Sequence, residues 1–158
     1  MEGRWTASAA AAIGFPIGSL PNVTVMENVS DVRRIYARTK VLLYPSFWEE
    51  AYGRAIVEAH QCGIPVLGAR RGGIPEAMNG GGVLLDVPTR SIEAYRSPLT
   101  LEEIRHWLSV LTGLLRIPAT YAEASHRSRV AAAPRRGQIE DAAAILSAVA
   151  ARGGFGAA

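Results

Sequence analysis

Val41-Leu42-Leu43-Tyr44 is an unbroken apolar run stopped at once by Pro45. It is too short for a helix and lacks the polar alternation of a strand with one wet face, so it predicts a strand covered on both sides. Two similar runs follow, Pro65-Val66-Leu67-Gly68 and Val83-Leu84-Leu85, the second ending at Asp86. Between the first two lies a helical stretch from about Tyr52 to Cys62, with Ala55, Ile56, Ala59 and Cys62 on one stripe and Gly63 placed to close it in a left-handed conformation before Pro65. Gly72 to Gly82 reads as a glycine-rich segment around a short helix. Strands separated by helices join in parallel, so residues 41–44, 65–68 and 83–85 are expected as neighbours in one α/β sheet with helices on both faces.

The flanks are less regular. Val23 to Met26 is a β-branched run that predicts a further strand, and Ser30 offers an N-cap for a helix reaching Thr39, with Val32, Ile35 and Tyr36 as its buried stripe. Beyond Pro88, Thr100 and Glu103 stand in capping-box spacing before Ile104, Leu108, Leu111 and Leu115, which recur as one apolar helix face. Pro118 ends that helix. Two more are expected, from about Thr120 to Ala132 and from Ile139 to Ala151, before a frayed tail from Gly153. The whole reads as one domain over residues 1–152 with a flexible tail at 153–158, since 158 residues bury an adequate core without disulfides or metals.

The net charge of +3 has its densest cluster at His126, Arg127, Arg129, Arg135 and Arg136, with no aromatic residues interleaved, so a solvated helix face is expected and no nucleic-acid partner. Ala7 to Ile13 reads as an alanine-rich helix: Glu2 and Arg4 make no basic leader, and the run falls far below the roughly 20 residues that cross a bilayer. No transmembrane segment is expected. A single cysteine, Cys62, forms no internal disulfide and favours a reducing, cytoplasmic setting; its place on the apolar stripe of its helix marks it as a core residue. Asn22-Val23-Thr24 and Asn28-Val29-Ser30 fit the glycosylation acceptor pattern, which has no consequence without export.

Glu50 and Glu58 stand eight residues apart around Tyr52-Gly53-Arg54. With a helix starting near Tyr52, Glu50 precedes its positive end and Glu58 lies about 9 to 12 Å down the axis. A diphosphate at that helix start meets unpaired backbone N–H groups and the favourable end of the dipole, while the carboxylates accept hydrogen bonds from hydroxyls on either side. Gly53 lets the backbone approach such a ligand closely. As an isolated pair, the two glutamates are better read as a helix-start charge and an ordinary exposed helix residue, since such spacings are common. Their setting argues for chemistry, because they lie between a strand ending in Pro45-Ser46 and the Gly63-Ile64-Pro65-Val66 run, followed by Gly72-Gly73-Ile74-Pro75-Glu76.

At these residues, over roughly positions 20 to 88, the sequence resembles the family-four retaining glycosyltransferases of the GT-B fold. Their C-terminal domain carries a strand ending in Pro-Ser, a Glu-x7-Glu motif and a Gly-Gly-x-Pro-Glu loop. The resemblance implies a Rossmann-like sheet, incomplete relative to a full GT-B C-terminal domain, and a nucleotide-diphosphate sugar as donor with no metal and no cofactor. Glu50 would contact donor-sugar hydroxyls and is the candidate catalytic residue. The backbone of Tyr52, Gly53 and Arg54 would meet sugar and phosphate, Glu58 would hold the ribose, and Gly72 and Gly73 count with the binding residues. Tyr52 stands where the family usually has phenylalanine.

Two departures shape the functional expectation. The family's arginine and lysine pair, which neutralises the donor diphosphate, is not found, and neither is its acceptor domain. Arg70-Arg71 is a candidate substitute for the pair, though a solvated loop is the simpler reading. His60, His106 and His126 have no metal-ligand spacing, and Trp5, Trp48 and Trp107 are read as packing residues. The chain is therefore expected to bind a nucleotide sugar for retaining hexosyl transfer but to transfer nothing alone, with a protein partner or second copy supplying the acceptor domain or missing strands. The alternatives are an inactive binding or partner module and, more distantly, a GT-B epimerase. Two strands of the family's usual order are missing beside residues 41–44, so either residues 23–26 move next to them or a second chain covers that edge.

Overall fold

The computed structural model describes residues 20–26, 29–88 and 99–133. The helices expected near Ala7–Ile13 and Ile139–Ala151, the tail from Gly153, and Trp5, Arg135 and Arg136 lie outside the described residues.

The three apolar runs are the three strands β1 (Leu42–Tyr44), β2 (Val66–Ala69) and β3 (Val83–Leu85). They lie parallel in the order β1-β2-β3, with Leu42 opposite Val66 and Leu67 opposite Val83. A short helix, α1 (Arg33–Tyr36), precedes β1; α2 (Arg54–Gln61) connects β1 to β2, and α3 (Ile74–Met78) connects β2 to β3. After β3 come α4 (Leu101–Arg116) and α5 over residues 118–133. The expected Rossmann-like arrangement is present, and β2, buried along its whole length, is the strand covered on both faces.

The core has two halves. Val66 packs with Ile56 and Ala59 of α2 and with Ile74, Ala77 and Met78 of α3. Leu67, pointing the other way as strand alternation requires, packs with Leu85, Leu114 of α4 and Ala124 of α5. Full burial of side chains such as Ile56 and Leu67 contributes about 1.5–3 kcal/mol each. Gly68 sets the spacing on the first face: a Cβ there would lie 3.0 Å from Ile74 Cγ2, so glycine lets α3 sit close against the sheet.

Capping residues mark the helix ends. Glu103 N donates to Thr100 Oγ1 and Thr100 N to Glu103 Oε2, the full capping box expected for α4. Gly63, at φ +69°, closes α2: its N–H donates to His60 O and that of Ile64 to Ala59 O, the paired bonds of a Schellman ending. At the end of the sheet where the strands begin, α5 closes over the turns. Ser125 Oγ donates to Gly63 O at 2.7 Å, Ser128 Oγ to Gly81 O at 3.1 Å, and Asn79 Nδ2 to Ala131 O at 3.1 Å.

Several expectations need correction. Residues 23–26 are not a strand; Val23 N closes a turn onto Leu20 O, and Val25 and Met26 are exposed. A β-branched run forms a strand only beside another, and among the described residues none pairs with it; among them β1 bonds to β2 alone and Leu43 is 46% exposed, so the run at 41–44 is not the fully covered strand that its apolar pattern predicts. The stripe on α1 is not buried either: Val32 and Ile35 are exposed and only Tyr36 turns inward. Asp31, rather than Ser30, receives Arg33 N and grips its guanidinium, so the helix starts late. On α4 the docked face is centred on Trp107, Leu111 and Leu114, leaving Leu108 and Leu115 exposed. Cys62 is exposed, because the face of α2 that meets the sheet runs through Ile56, Ala59 and His60. Trp107 packs as expected and donates from Nε1 to Asp86 O, but Trp48 is 68% exposed.

Candidate functional site

A strand that ends at Pro45 and a helix that starts only at Arg54 leave a loop beyond the C-terminal end of β1. Gly53 decides where α2 begins. Its φ of +85° lies in the left-handed region, which a helix cannot pass through, so α2 starts two residues later than the apolar pattern predicts. No side chain caps this start, which carries the positive end of the helix dipole; within the first turn Ile56 N donates to Gly53 O at 3.0 Å. A cleft of about 450 Å³ opens there, lined by Tyr44, Glu50, Ala51, Tyr52, Gly53, Arg54, Ala55 and Glu58. Both glutamates therefore border one space, with the uncapped helix start between them. In open parallel sheets this end of the strands is where ligands bind.

Each carboxylate is held by hydroxyls. Ser46 Oγ donates to Glu50 Oε1 at 3.3 Å. Burial, and then the negative charge of Glu50 beside it, push the Tyr44 phenol above its ordinary value. Tyr36 Oη donates to Glu58 Oε2 at 2.7 Å, and the Tyr36 phenol is raised strongly, first by burial and then by its hydrogen bond to and the charge of Glu58. The neutral Tyr36 phenol is thus the donor to Glu58 at neutral pH. The sequence pattern assigned Tyr36 and Tyr44 only to packing; the signal for more was the hydroxyl, which seeks a partner whenever the ring is partly buried.

Gly72 and Gly73 do not line the cleft but support its wall from behind. A Cβ on Gly72 would lie 2.7 Å from Glu50 O, and one on Gly73 2.2 Å from Ala51 O; Gly73 N donates to Glu50 O at 2.7 Å. Two backbones here touch with no side chain between them, which fixes the Glu50 loop. The candidate substitute cations are engaged: Arg70 pairs with Asp86 at 3.2 Å, while Arg71 Nε lies 2.9 Å from Glu49 Oε1, close enough for attraction but out of line for a hydrogen bond. Arg54 is exposed at the cleft mouth and takes part in none of the ion pairs among the described residues.

Residues 4–100 match the family described as glycosyl transferases group 1. The chain belongs to that family. Among curated group 1 relatives, it is 32% identical over 97 residues to the D-inositol 3-phosphate glycosyltransferase of Mycobacterium avium (strain 104), covering 61% of this chain and 20% of that protein. It is 34% identical over 113 residues to the enzyme of the same name from Thermobifida fusca (strain YX), covering 60% and 25%, and 36% identical over 56 residues to O-antigen chain mannosyltransferase B of Escherichia coli, covering 35% and 14%. The chain thus spans a quarter or less of the length of these glycosyl transferases. Its fold is similar to that of Anabaena Alr3699/HepE in complex with UDP-glucose, with a TM-score of 0.62 and 23% identity over 83% of this chain and 34% of that one.

The other chemically capable residues lie away from this cleft. His60 is fully buried with Gly81 against its ring, a packing position, whereas His106 and His126 are exposed. No helix among the described residues is long and apolar enough to cross a membrane.

Proposed function

We propose that this chain is the donor-binding part of a retaining hexosyltransferase, and that its cleft holds a nucleotide-diphosphate sugar without a metal or cofactor. One observation carries the reading: Glu50 and Glu58 border a single cleft on either side of an uncapped helix start. The diphosphate sits at the α2 N–H groups with Arg54 beside it, the ribose hydroxyls donate to Glu58, and the sugar hydroxyls donate to Glu50. In transfer, negative charge grows on the leaving diphosphate as its bond to the anomeric carbon breaks, and donors already fixed around it favour that state. The fold shared with a UDP-glucose complex is in keeping with this.

Transfer also needs an acceptor hydroxyl held against the anomeric carbon, a positioning worth roughly 7–11 kcal/mol. Among the described residues the cleft has no second wall to do this, and we assign that task to a protein partner or a second copy seated beside β1, whose outer edge pairs with no strand among those residues. We place the reaction in the cytoplasm, where the exposed Cys62 thiol stays reduced. A second reading, a binding module that transfers nothing, is favoured by the engagement of Arg70 and Arg71 with carboxylates, which leaves Arg54 to face a diphosphate.

Calorimetric titration of the chain with UDP-, GDP- and ADP-hexoses and the matching nucleoside diphosphates tests the site. Glu58→Ala weakens diphosphate and conjugate alike, whereas Glu50→Ala weakens mainly the conjugate. Absence of binding by every member of the panel, or binding that both substitutions leave untouched, overturns the reading. Acceptor-dependent turnover by the chain alone overturns the assignment of the acceptor task elsewhere.

A further inference from the structure

We infer that Tyr36 is the positioning residue for Glu58, holding that carboxylate in the one orientation that receives a ribose; this rests on the proposed donor site. The observation is a junction between two elements far apart in sequence. Tyr36 ends α1, Glu58 lies in the middle of α2, and the phenol reaches its Oε2 at 2.7 Å. The same hydroxyl lies 3.4 Å from Ala55 O, so its single proton goes to the much nearer carboxylate. A separation this short is characteristic of an O–H donor facing an ionised acceptor.

The consequence lies in freedom lost. A glutamate at a cleft has three side-chain torsions to fix before it can receive a hydroxyl, and fixing them costs rotamer entropy. Tyr36 has already fixed them, because its ring packs against the α2–α3 half of the core while its hydroxyl holds the carboxylate. Oε2 has one lone-pair direction occupied, and Oε1 has no bond to protein among the described residues, so the ligand-receiving side of the group is set before the ligand arrives. Burial and the neighbouring carboxylate both keep the phenol protonated, so it remains the donor throughout the neutral range. Nothing else in the described part of α1 serves this purpose, since Val32 and Ile35 face outward. One turn of helix with little core of its own thus has a defined function: it presents one hydroxyl.

The test compares the intact chain with Tyr36→Phe, Glu58→Ala and the double variant. Each is titrated calorimetrically with UDP, GDP and ADP, with their 2′-deoxy and 3′-deoxy counterparts, and with inorganic pyrophosphate. The expected result is that the unaltered chain prefers a ribose to either deoxyribose, that Glu58→Ala abolishes the preference, and that Tyr36→Phe lowers it about tenfold, as loss of one charge-assisted hydrogen bond implies. Pyrophosphate affinity stays unchanged in Tyr36→Phe, which also shows that the fold survives. In the Glu58→Ala background, removing the Tyr36 hydroxyl changes nothing further. If Tyr36→Phe keeps the full ribose preference while Glu58→Ala loses it, or weakens pyrophosphate as much as it weakens nucleotides, the positioning role is wrong and the donor site stands. A chain with no ribose preference, or one whose preference survives Glu58→Ala, removes the assignment of Glu58 and this inference with it.

Discussion

The two ends of the sheet solve opposite problems with the same residue type. Where the strands begin, Gly63 and Gly81 let a helix press onto the turns, and hydroxyls from α5 take up the carbonyls exposed there. Where they end, Gly72 and Gly73 let two loops touch, but the start of α2 has no side-chain cap and two carboxylates border a cleft. Polar groups are satisfied internally at one end and left for an incoming molecule at the other. Buried polar groups lacking partners cost free energy, so an open helix start beside a supported loop marks where the chain gives up stability for binding.

The largest effect expected from breaking this contrast comes from Gly73→Ala. Its new Cβ would fall 2.2 Å from Ala51 O, a backbone atom that cannot rotate away, so the Glu50 loop must move. Destabilisation of about 3 kcal/mol is expected in urea unfolding, accompanied by loss of nucleotide-sugar binding. Gly81→Ala tests the other end. There the nearest atoms, at 2.5 and 2.9 Å, belong to the side chains of Ala131 and His60, so stability falls while binding by the folded fraction is retained. If Gly73→Ala binds normally, the glycine pair does not support the site.

Next in size is Glu58→Ala, expected to cost roughly tenfold to a hundredfold in nucleoside diphosphate affinity, as for a lost charged hydrogen-bond acceptor. Because Glu58 borders the cleft rather than the core, its melting temperature should move little once the liberated Tyr36 hydroxyl reaches water or Ala55 O. A large drop in melting temperature with unchanged affinity would turn the Tyr36–Glu58 pair into a structural clasp.

Much of this was legible in the residues. Short apolar runs, the first stopped by Pro45, gave the three strands, Gly63 the end of α2, and Thr100 with Glu103 the capping box, because each depends on chemistry within a few positions of itself. The spacing of Glu50 and Glu58 was legible for the same reason. What was not legible depends on partners distant in sequence. Tyr36 meets Glu58 across 22 positions, and Gly73 meets Ala51 across two elements. The run at Val23 has the composition of a strand but no neighbour among the described residues. On α4, Leu108 and Leu111 are equally apolar, and only the direction of docking separates an exposed stripe from a buried one. Cys62 was misplaced in the same way, by one step around the helix.

A smaller effect is expected at the closed end. Ser128 is fully buried and its hydroxyl donates to Gly81 O, so Ser128→Ala leaves a carbonyl without that partner and costs about 1–2 kcal/mol in urea unfolding. Nucleotide binding should not change. A shift in affinity without a shift in stability would show that the two ends are coupled through β3.

The smallest expected effect separates the ends by pH. At the open end the partners are phenols and carboxylates; at the closed end they are neutral hydroxyls, an amide and carbonyls, which do not titrate in this range. Both Tyr36 and Tyr44 have phenols raised above the ordinary value of 10.0 in the folded chain, chiefly by burial and then by the adjacent carboxylates. The neutral phenol is therefore the form that folding favours. Its contribution is complete below pH 10, where both states are protonated, and is lost as pH rises through the raised folded values, because the unfolded chain releases its protons first. Both rings are partly open to solvent, which screens the repulsion between phenolate and carboxylate, so the loss should be smaller than that from Ser128→Ala. Urea midpoints followed from about pH 8 to about pH 11 should decline for the unaltered chain, and Tyr36→Phe should flatten the decline, since phenylalanine has no proton to lose. Ser128→Ala should lower the whole curve without changing its slope. An equal alkaline slope in Tyr36→Phe would mean that the Tyr36–Glu58 bond adds no stability in solution, and the open end would then be held by the glycine contacts behind Glu50 alone.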